Sequence, residues 1–193
     1  MAWTNLGVAA QKLGLAGVAL DCFTQSMKLM PDAVSWSNYI SILNFLPLSR
    51  EQIGNAHRLW GCELEKNVSR MKIGPRGRHS RIRVGYLSGC FDHHSAMRFL
   101  VAALQSHDHG RFEIAAYSHG RFRDSTYERA KELVDIFRDI GDSTDEQAAA
   151  QIYHDEIDIL VDIDGHTTYS RVALMARKPA PIQVSWLGYP NTT

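Results

Sequence analysis

The sequence has no excess of charge of either sign: Lys and Arg total 21, Asp and Glu total 21, and the formal net charge is zero. A dedicated nucleic-acid binder normally carries a basic surplus, so that class is set aside. Cysteine is scarce. Cys22, Cys62 and Cys90 are odd in number, far apart, and form no Cys-x-x-Cys pair. A disulfide framework and a zinc site are therefore excluded as expectations, and a reducing compartment is the default. No apolar run approaches the ~20 residues that cross a bilayer. The opening Met1-Ala2-Trp3-Thr4 lacks the charged start and apolar core of a secretory leader. A cytoplasmic protein is expected, with no membrane and no nucleic acid among its partners. Two phosphate-binding signatures are missing as well. Gly85-x-x-x-Gly89 is not the Gly-x-Gly-x-x-Gly fingerprint, and nothing resembles a Walker A loop.

What is present changes character near residue 70. At 193 residues and about 150 per domain, one or two domains are expected. The first part is helical by pattern. Ala9, Ala10 and Leu13, then Val18, Ala19, Cys22, Phe23 and Met27, recur at three- and four-residue spacing. Gly14-Leu15-Ala16-Gly17 reads as the turn between these two helices. Pro31 closes the second, and Asp32 caps a third running from Ala33 to Leu46, stopped by Pro47. Ser49 caps a fourth, with Gln52 at the capping-box position, to about Asn67. Its apolar stripe is Ile53, Ala56, His57, Trp60 and Leu64. Trp3-x-x-Leu6-Gly7 with Ala19, Phe23 and Pro31 matches the tetratricopeptide (TPR) spacing, except that Ala10 stands where an aromatic is preferred. A segment this short is either a peptide-binding groove or a pedestal packed on the next domain.

Residues 70–80 read as a linker with Gly74-Pro75 and Gly77. Seven Lys and Arg and no acid lie between Lys66 and Arg83. A solvated connector is the plain reading, and contact with an anion the sharper one. From residue 81 the pattern alternates. Strands are expected at Ile82–Ser88, Phe112–Tyr117, Ile157–Ile163 and Ile182–Leu187. Helices are expected at Ser95–Gln105, Ser125–Phe137, Thr144–His154 (capped by Ser143) and Ser170–Arg177. Alternation of this kind gives a parallel sheet covered by helices on both faces. The fold class is α/β, with an α-helical TPR-like region at 1–69, a basic linker at 70–80 and a Rossmann-like region at 81–193.

Open parallel sheets bind ligands beyond the carboxyl ends of their strands. Three strands end there in polar, glycine-bearing loops: Ser88-Gly89-Cys90-Phe91-Asp92-His93-His94-Ser95, Asp162-Ile163-Asp164-Gly165-His166-Thr167, and Leu187-Gly188-Tyr189-Pro190. The helix starting at Ser95 offers backbone N–H groups suited to an anion such as a diphosphate. His94 can act as a base or donate to an oxygen. His93 is expected to point elsewhere. Asp162 and Asp164 lack a third ligand at metal spacing and are expected to hydrogen-bond loop backbone. Cys90 is a possible nucleophile with no base assigned to it.

At these residues the chain resembles the O-GlcNAc transferase and SPINDLY-type family. The stretches that carry the resemblance are 81–88, Phe91 with His94-Ser95, Arg111-Phe112-Glu113 with Tyr117-Ser118, 157–162 with Gly165-His166-Thr167, and above all 178–184 with Trp186-Leu187-Gly188-Tyr189-Pro190. Upstream, Ser37-Asn38-Tyr39, 43–47 and His57-Arg58-Leu59-Trp60 resemble the segment that joins repeats to catalytic region in bacterial members. The resemblance implies one Rossmann-like half of a GT-B glycosyltransferase behind the end of a TPR array. The implied reaction transfers a sugar, GlcNAc from UDP-GlcNAc, to Ser or Thr of an acceptor protein or peptide, with no metal or other cofactor. By resemblance His94 is the active-site histidine. Ser95, Ala96, His166, Leu187, Gly188 and Pro190 contact substrate. Cys90 stands where the family usually has an aspartate, with Asp92 two residues along. The second half, which holds most of the donor, is not in these residues, and the chain alone is expected to be inactive. The alternative is a TPR-containing scaffold that binds proteins without catalysis.

Overall fold

The computed structural model describes residues 1–74, 77 and 79–193. The chain opens with α1 (Ala2–Lys12), α2 (Ala16–Leu29), α3 (Ala33–Ile42), a 3₁₀ turn at Leu43–Phe45, and α4 (Arg50–Lys66). The α1–α2 pair closes around Phe23, which is fully buried beside Ala10, Ala19 and Ile42. Asp32 caps α3 by accepting the Ser35 N–H. Ser49 and Gln52 form the reciprocal capping box that starts α4. Trp36 stacks on Trp60 with ring centroids 4.9 Å apart, joining α3 to α4. The expected third helix stops at Ile42 rather than Leu46, and its last turn tightens into the 3₁₀ turn before Pro47.

The described residues between α4 and residue 82 lie outside helix and strand. Pro75, Arg76 and Arg78, part of the expected basic linker, lie outside the described residues. Met71 N–H donates to the Arg177 carbonyl at 2.7 Å, so the connector runs against the α/β part.

The α/β part comprises β1 (Ile82–Ser88), α5 (Ser95–Ser106), β2 (Phe112–Ser118), α6 (Ser125–Glu132), β3 (Ile136–Asp139), α7 (Asp145–His154), β4 (Ile159–Asp162), α8 (Val172–Ala176) and β5 (Ile182–Ser185). The five strands form one parallel sheet in the order β3-β2-β1-β4-β5. Side chains alternate across it, as a strand's period of two requires. Val84, Tyr86, Ile114 and Ala116 pack with Met97, Leu100, Leu104 and Tyr127 from α5 and α6. Leu87, Ala115, Tyr117 and Leu160 pack on the other face with Ala148, Ile152 and Leu174 from α7 and α8.

Some sequence expectations need correction. The single helix expected over Ser125–Phe137 ends at Glu132, and Ile136–Asp139 is an edge strand paired with β2. Asp135 makes the break. Its N–H donates to the Ile114 carbonyl, and its carboxylate accepts the Ile114 N–H at 2.8 Å. The three- and four-residue spacing of Tyr127, Ala130, Val134 and Phe137 disguised the change. The cap of α7 is Thr144, boxed with Gln147, not Ser143. β1 has its expected bounds, α5 and β2 each run one residue further, and α7, β4 and α8 are shorter by one or two residues at an end. The last strand stops at Ser185, because Leu187 adopts a positive φ of 85° that a strand cannot contain.

Gly7 tests the packing of the helical pair. A Cβ there would meet the Phe23 ring at 2.5 Å. In an open helix Gly→Ala gains about 0.5–1 kcal/mol. Here Gly7→Ala is expected to lower stability instead, read as a reduced urea midpoint. A raised midpoint would contradict the close approach.

Candidate active site

The strands β1, β4 and β5 lie side by side, so the loops that follow them gather at one edge of the sheet. Two buried carboxylates shape that edge. Asp162 accepts the N–H groups of Asp164 at 3.1 Å and Gly165 at 3.0 Å, which closes the turn after β4. Asp164 accepts the Ser88 hydroxyl at 2.9 Å and the Gly89 N–H at 2.7 Å, which ties that turn to the end of β1. Ser88, having donated, accepts the Cys90 N–H at 2.9 Å. His119 Nε2 stands 3.3 Å from Asp164. Burial, aided by the negative Asp164, raises the Asp162 carboxyl to about 6. Both oxygens of each carboxylate are thus engaged with the protein, in the structural role expected of them. Cys90 is buried beside these groups. Burial first, then Asp164 and Asp92, push its thiol upward. It stays protonated and supplies no thiolate, so the nucleophile reading is set aside.

Above this floor, His94, Ala96 and Gly188 line one pocket of about 100 Å³, with Cys90, Asp164, Thr167, Thr168 and Tyr169. His94 is the N-cap of α5. Its Nδ1 accepts the Ala96 N–H at 3.2 Å. The helix N–H that the sequence offered to an anion is therefore already taken by the histidine. The bond also fixes the ring's chemistry. An Nδ1 that accepts carries a lone pair, so the neutral imidazole bears its proton on Nε2. His94 then presents an N–H donor to a ligand rather than a basic nitrogen. Ser95 is exposed at the start of α5. Gly188 donates its N–H to the Ile163 carbonyl at 2.9 Å, and a Cβ at this position would lie 2.1 Å from that oxygen. Only glycine fits there.

The structure separates the other expected site residues. Leu187 is half-buried and packs against the α5-side core. Pro190 is exposed and stands outside the His94 pocket. His166 is not at the His94 pocket. It is 3% exposed, its Nδ1 is 3.1 Å from the Ser37 hydroxyl of α3, and it borders a separate cavity of about 200 Å³ beside Trp60. His93 does not point away from His94. Both line an adjoining pocket of about 420 Å³ with Phe122, Arg123 and Tyr169. Tyr169 walls both pockets and was missed in the sequence. It presses on Gly89, where a Cβ would meet it at 2.5 Å, a contact between distant segments that no motif announces.

A parallel α/β sheet with a histidine-capped helix and a glycine loop at its carboxyl edge belongs to the open-sheet domains that bind ligands at strand ends. Comparison with known proteins is more specific. The chain belongs to glycosyl transferase family 41, whose model matches residues 64–193. A probable UDP-N-acetylglucosamine–peptide N-acetylglucosaminyltransferase SPINDLY of Oryza sativa subsp. japonica is 31% identical over 182 residues, covering 90% of this chain and 20% of that protein. Its namesake from Hordeum vulgare is 34% identical over 151 residues, covering 75% of this chain and 16% of that protein. A mutant O-GlcNAc transferase of Thermobaculum terrenum superposes with a TM-score of 0.87 at 28% identity, over 96% of this chain and 36% of its own. The chain thus spans about a fifth of the length of these curated relatives.

His166 carries a pH prediction. Burial, and secondarily His57, lowers it to about 4, against 6.5 when unfolded. The unfolded chain then binds the extra proton first, and stability is lost as pH falls from about 6.5 towards 4. The loss amounts to at most about 3 kcal/mol. Asp162, raised by burial, acts in the opposite sense, so the comparison must be made against a variant. Denaturant titrations at several pH values should show a steeper acid loss in the natural chain than in His166→Gln. Parallel curves would contradict the assignment.

Proposed function

We propose that this chain supplies the acceptor-facing half of a protein O-glycosyltransferase active site. The sugar is GlcNAc from UDP-GlcNAc, passed to Ser or Thr hydroxyls of a protein or peptide. The observation that carries the reading is His94 at the start of α5, facing a pocket closed by Gly188 on the neighbouring loop. The activity named for the SPINDLY relatives supports the donor and the peptide acceptor.

In this reading His94 works as an oriented donor. With Nδ1 occupied by the Ala96 N–H, Nε2–H is free to hold an oxygen of the donor or of the attacking hydroxyl. Preorganised donors at the reacting oxygens are a large source of rate enhancement. The reading includes no metal, and gives Asp162 and Asp164 the structural role of holding loop N–H and hydroxyl groups. Ser95 and Ala96 border the donor, and Leu187 and Pro190 shape the loop that carries Gly188. The rest of the donor site belongs to a second Rossmann-like half in a GT-B arrangement, so residues 1–193 alone are inactive. The helices before residue 70 are the end of a TPR-like array, and the protein works in the cytoplasm.

Incubation of the full-length gene product with UDP-GlcNAc and a Ser/Thr peptide should add one GlcNAc mass to a hydroxyl, read by mass spectrometry. His94→Asn keeps an N-cap while removing the imidazole. It is expected to cut the rate about 100-fold or more with little change in melting temperature. Undiminished transfer by His94→Asn would remove His94 from the reaction.

A further inference from the structure

The Gly188 loop does not hold its shape alone. Leu187 sits at φ 85°, a conformation that L side chains rarely adopt, and it persists only where surroundings enforce it. The next-but-one residue is anchored outside the loop. Tyr189 reaches from the loop into a socket built by three distant segments. Its hydroxyl lies 2.8 Å from His57 Nε2 on α4 and 2.9 Å from Asn44 Nδ2 in the 3₁₀ turn. Its ring meets His166 edge-on at 5.2 Å. Its Cβ presses on Gly165, where any Cβ would come within 2.5 Å.

The hydrogen bonds in the socket admit one consistent direction. His57 Nδ1 is 2.7 Å from the Ile53 carbonyl, which can only accept, so Nδ1 carries the proton. Nε2 then accepts, and the Tyr189 O–H donates to it. The Tyr189 oxygen in turn accepts from the Asn44 amide. Asn44 Oδ1 accepts from Asn191 at 2.9 Å, so the chain on both sides of Pro190 is tied to the same turn. Burial raises Tyr189 to about 12, which keeps the phenol proton in place.

We infer that Tyr189 is a positioning residue for the pocket, with His57 and Asn44 of the helical segment as its socket. The pin fixes the turn at Leu187 and so holds Gly188 in the pocket beside His94. The helices before residue 70 are on this account part of the active-site scaffold and not only an appendage. The consequence for catalysis rests on the proposed transferase function; the mechanical claim does not.

Hydrogen exchange on the 193-residue chain tests the mechanical claim without any activity. The Trp186 and Gly188 amides, bonded to Asp162 and Ile163 carbonyls, report the loop, and the β1 amides report the fold. Tyr189→Phe should speed exchange at Trp186 and Gly188 about tenfold, the effect of one lost buried hydrogen bond, and leave β1 unchanged. Asn44→Ala, a milder change, should give a smaller effect confined to the same amides. No acceleration, or equal acceleration at β1 in both variants, overturns the pin. In the full-length gene product Tyr189→Phe should lower kcat with KM for the peptide unchanged, and an unchanged kcat overturns the catalytic consequence. A loop that loosens in this way in a protein that transfers no sugar leaves the pin standing and defeats the transferase reading.

Discussion

The site depends on a pair of carboxylates that never reach solvent. Asp164 is 2% exposed, yet it joins the ends of two strands by taking the Ser88 hydroxyl and the Gly89 N–H. Asp162 shapes the turn that carries Asp164. Buried charge is costly unless hydrogen-bonded, and here each oxygen has a partner. An alanine at 164 would leave Ser88 and Gly89 without their acceptor and release the Cys90 loop from the floor of the pocket. Burial first, then Asp164 and Asp92, keep the proton on the Cys90 thiol beside this floor.

On that floor the remaining parts are set by close approach. Gly188 rests against the Ile163 carbonyl with no room for a side chain. Its neighbours are anchored in the helical segment through Tyr189. The histidines divide their work accordingly. His57 and His166 are buried, are both lowered by burial, and serve as hydrogen-bonding wall. His94 is exposed and has one ring nitrogen engaged by its own helix.

The sequence made the architecture legible because its signals were local. The Ser49–Gln52 box, the Asp32 cap and the apolar strands at 82–88 and 112–117 each arise from a few adjacent residues. Parallel strand order alone puts the three polar loops on one edge. What stayed hidden was non-local. β3 is four residues long and half-exposed, so it has no alternation to read, and Asp135 defines its start only through β2. His166 sits in a loop that reads as site, but Ser37, 129 residues away, draws it to the helices. Tyr169 and the socket of Tyr189 are assembled from segments that share no motif. Family resemblance identified the neighbourhood, and only geometry separated the residues facing the pocket from those supporting it.

The central claim is chemical: this edge of the sheet holds His94 so that it offers an N–H to a ligand oxygen. Long-range proton–nitrogen correlation spectra of the imidazole, recorded above the range in which histidine is charged, read that state directly. The account predicts that His94 carries its proton on Nε2 with a bare, hydrogen-bonded Nδ1. A proton on Nδ1 would mean that the cap is broken in solution and that the pocket faces a basic nitrogen, which contradicts the account.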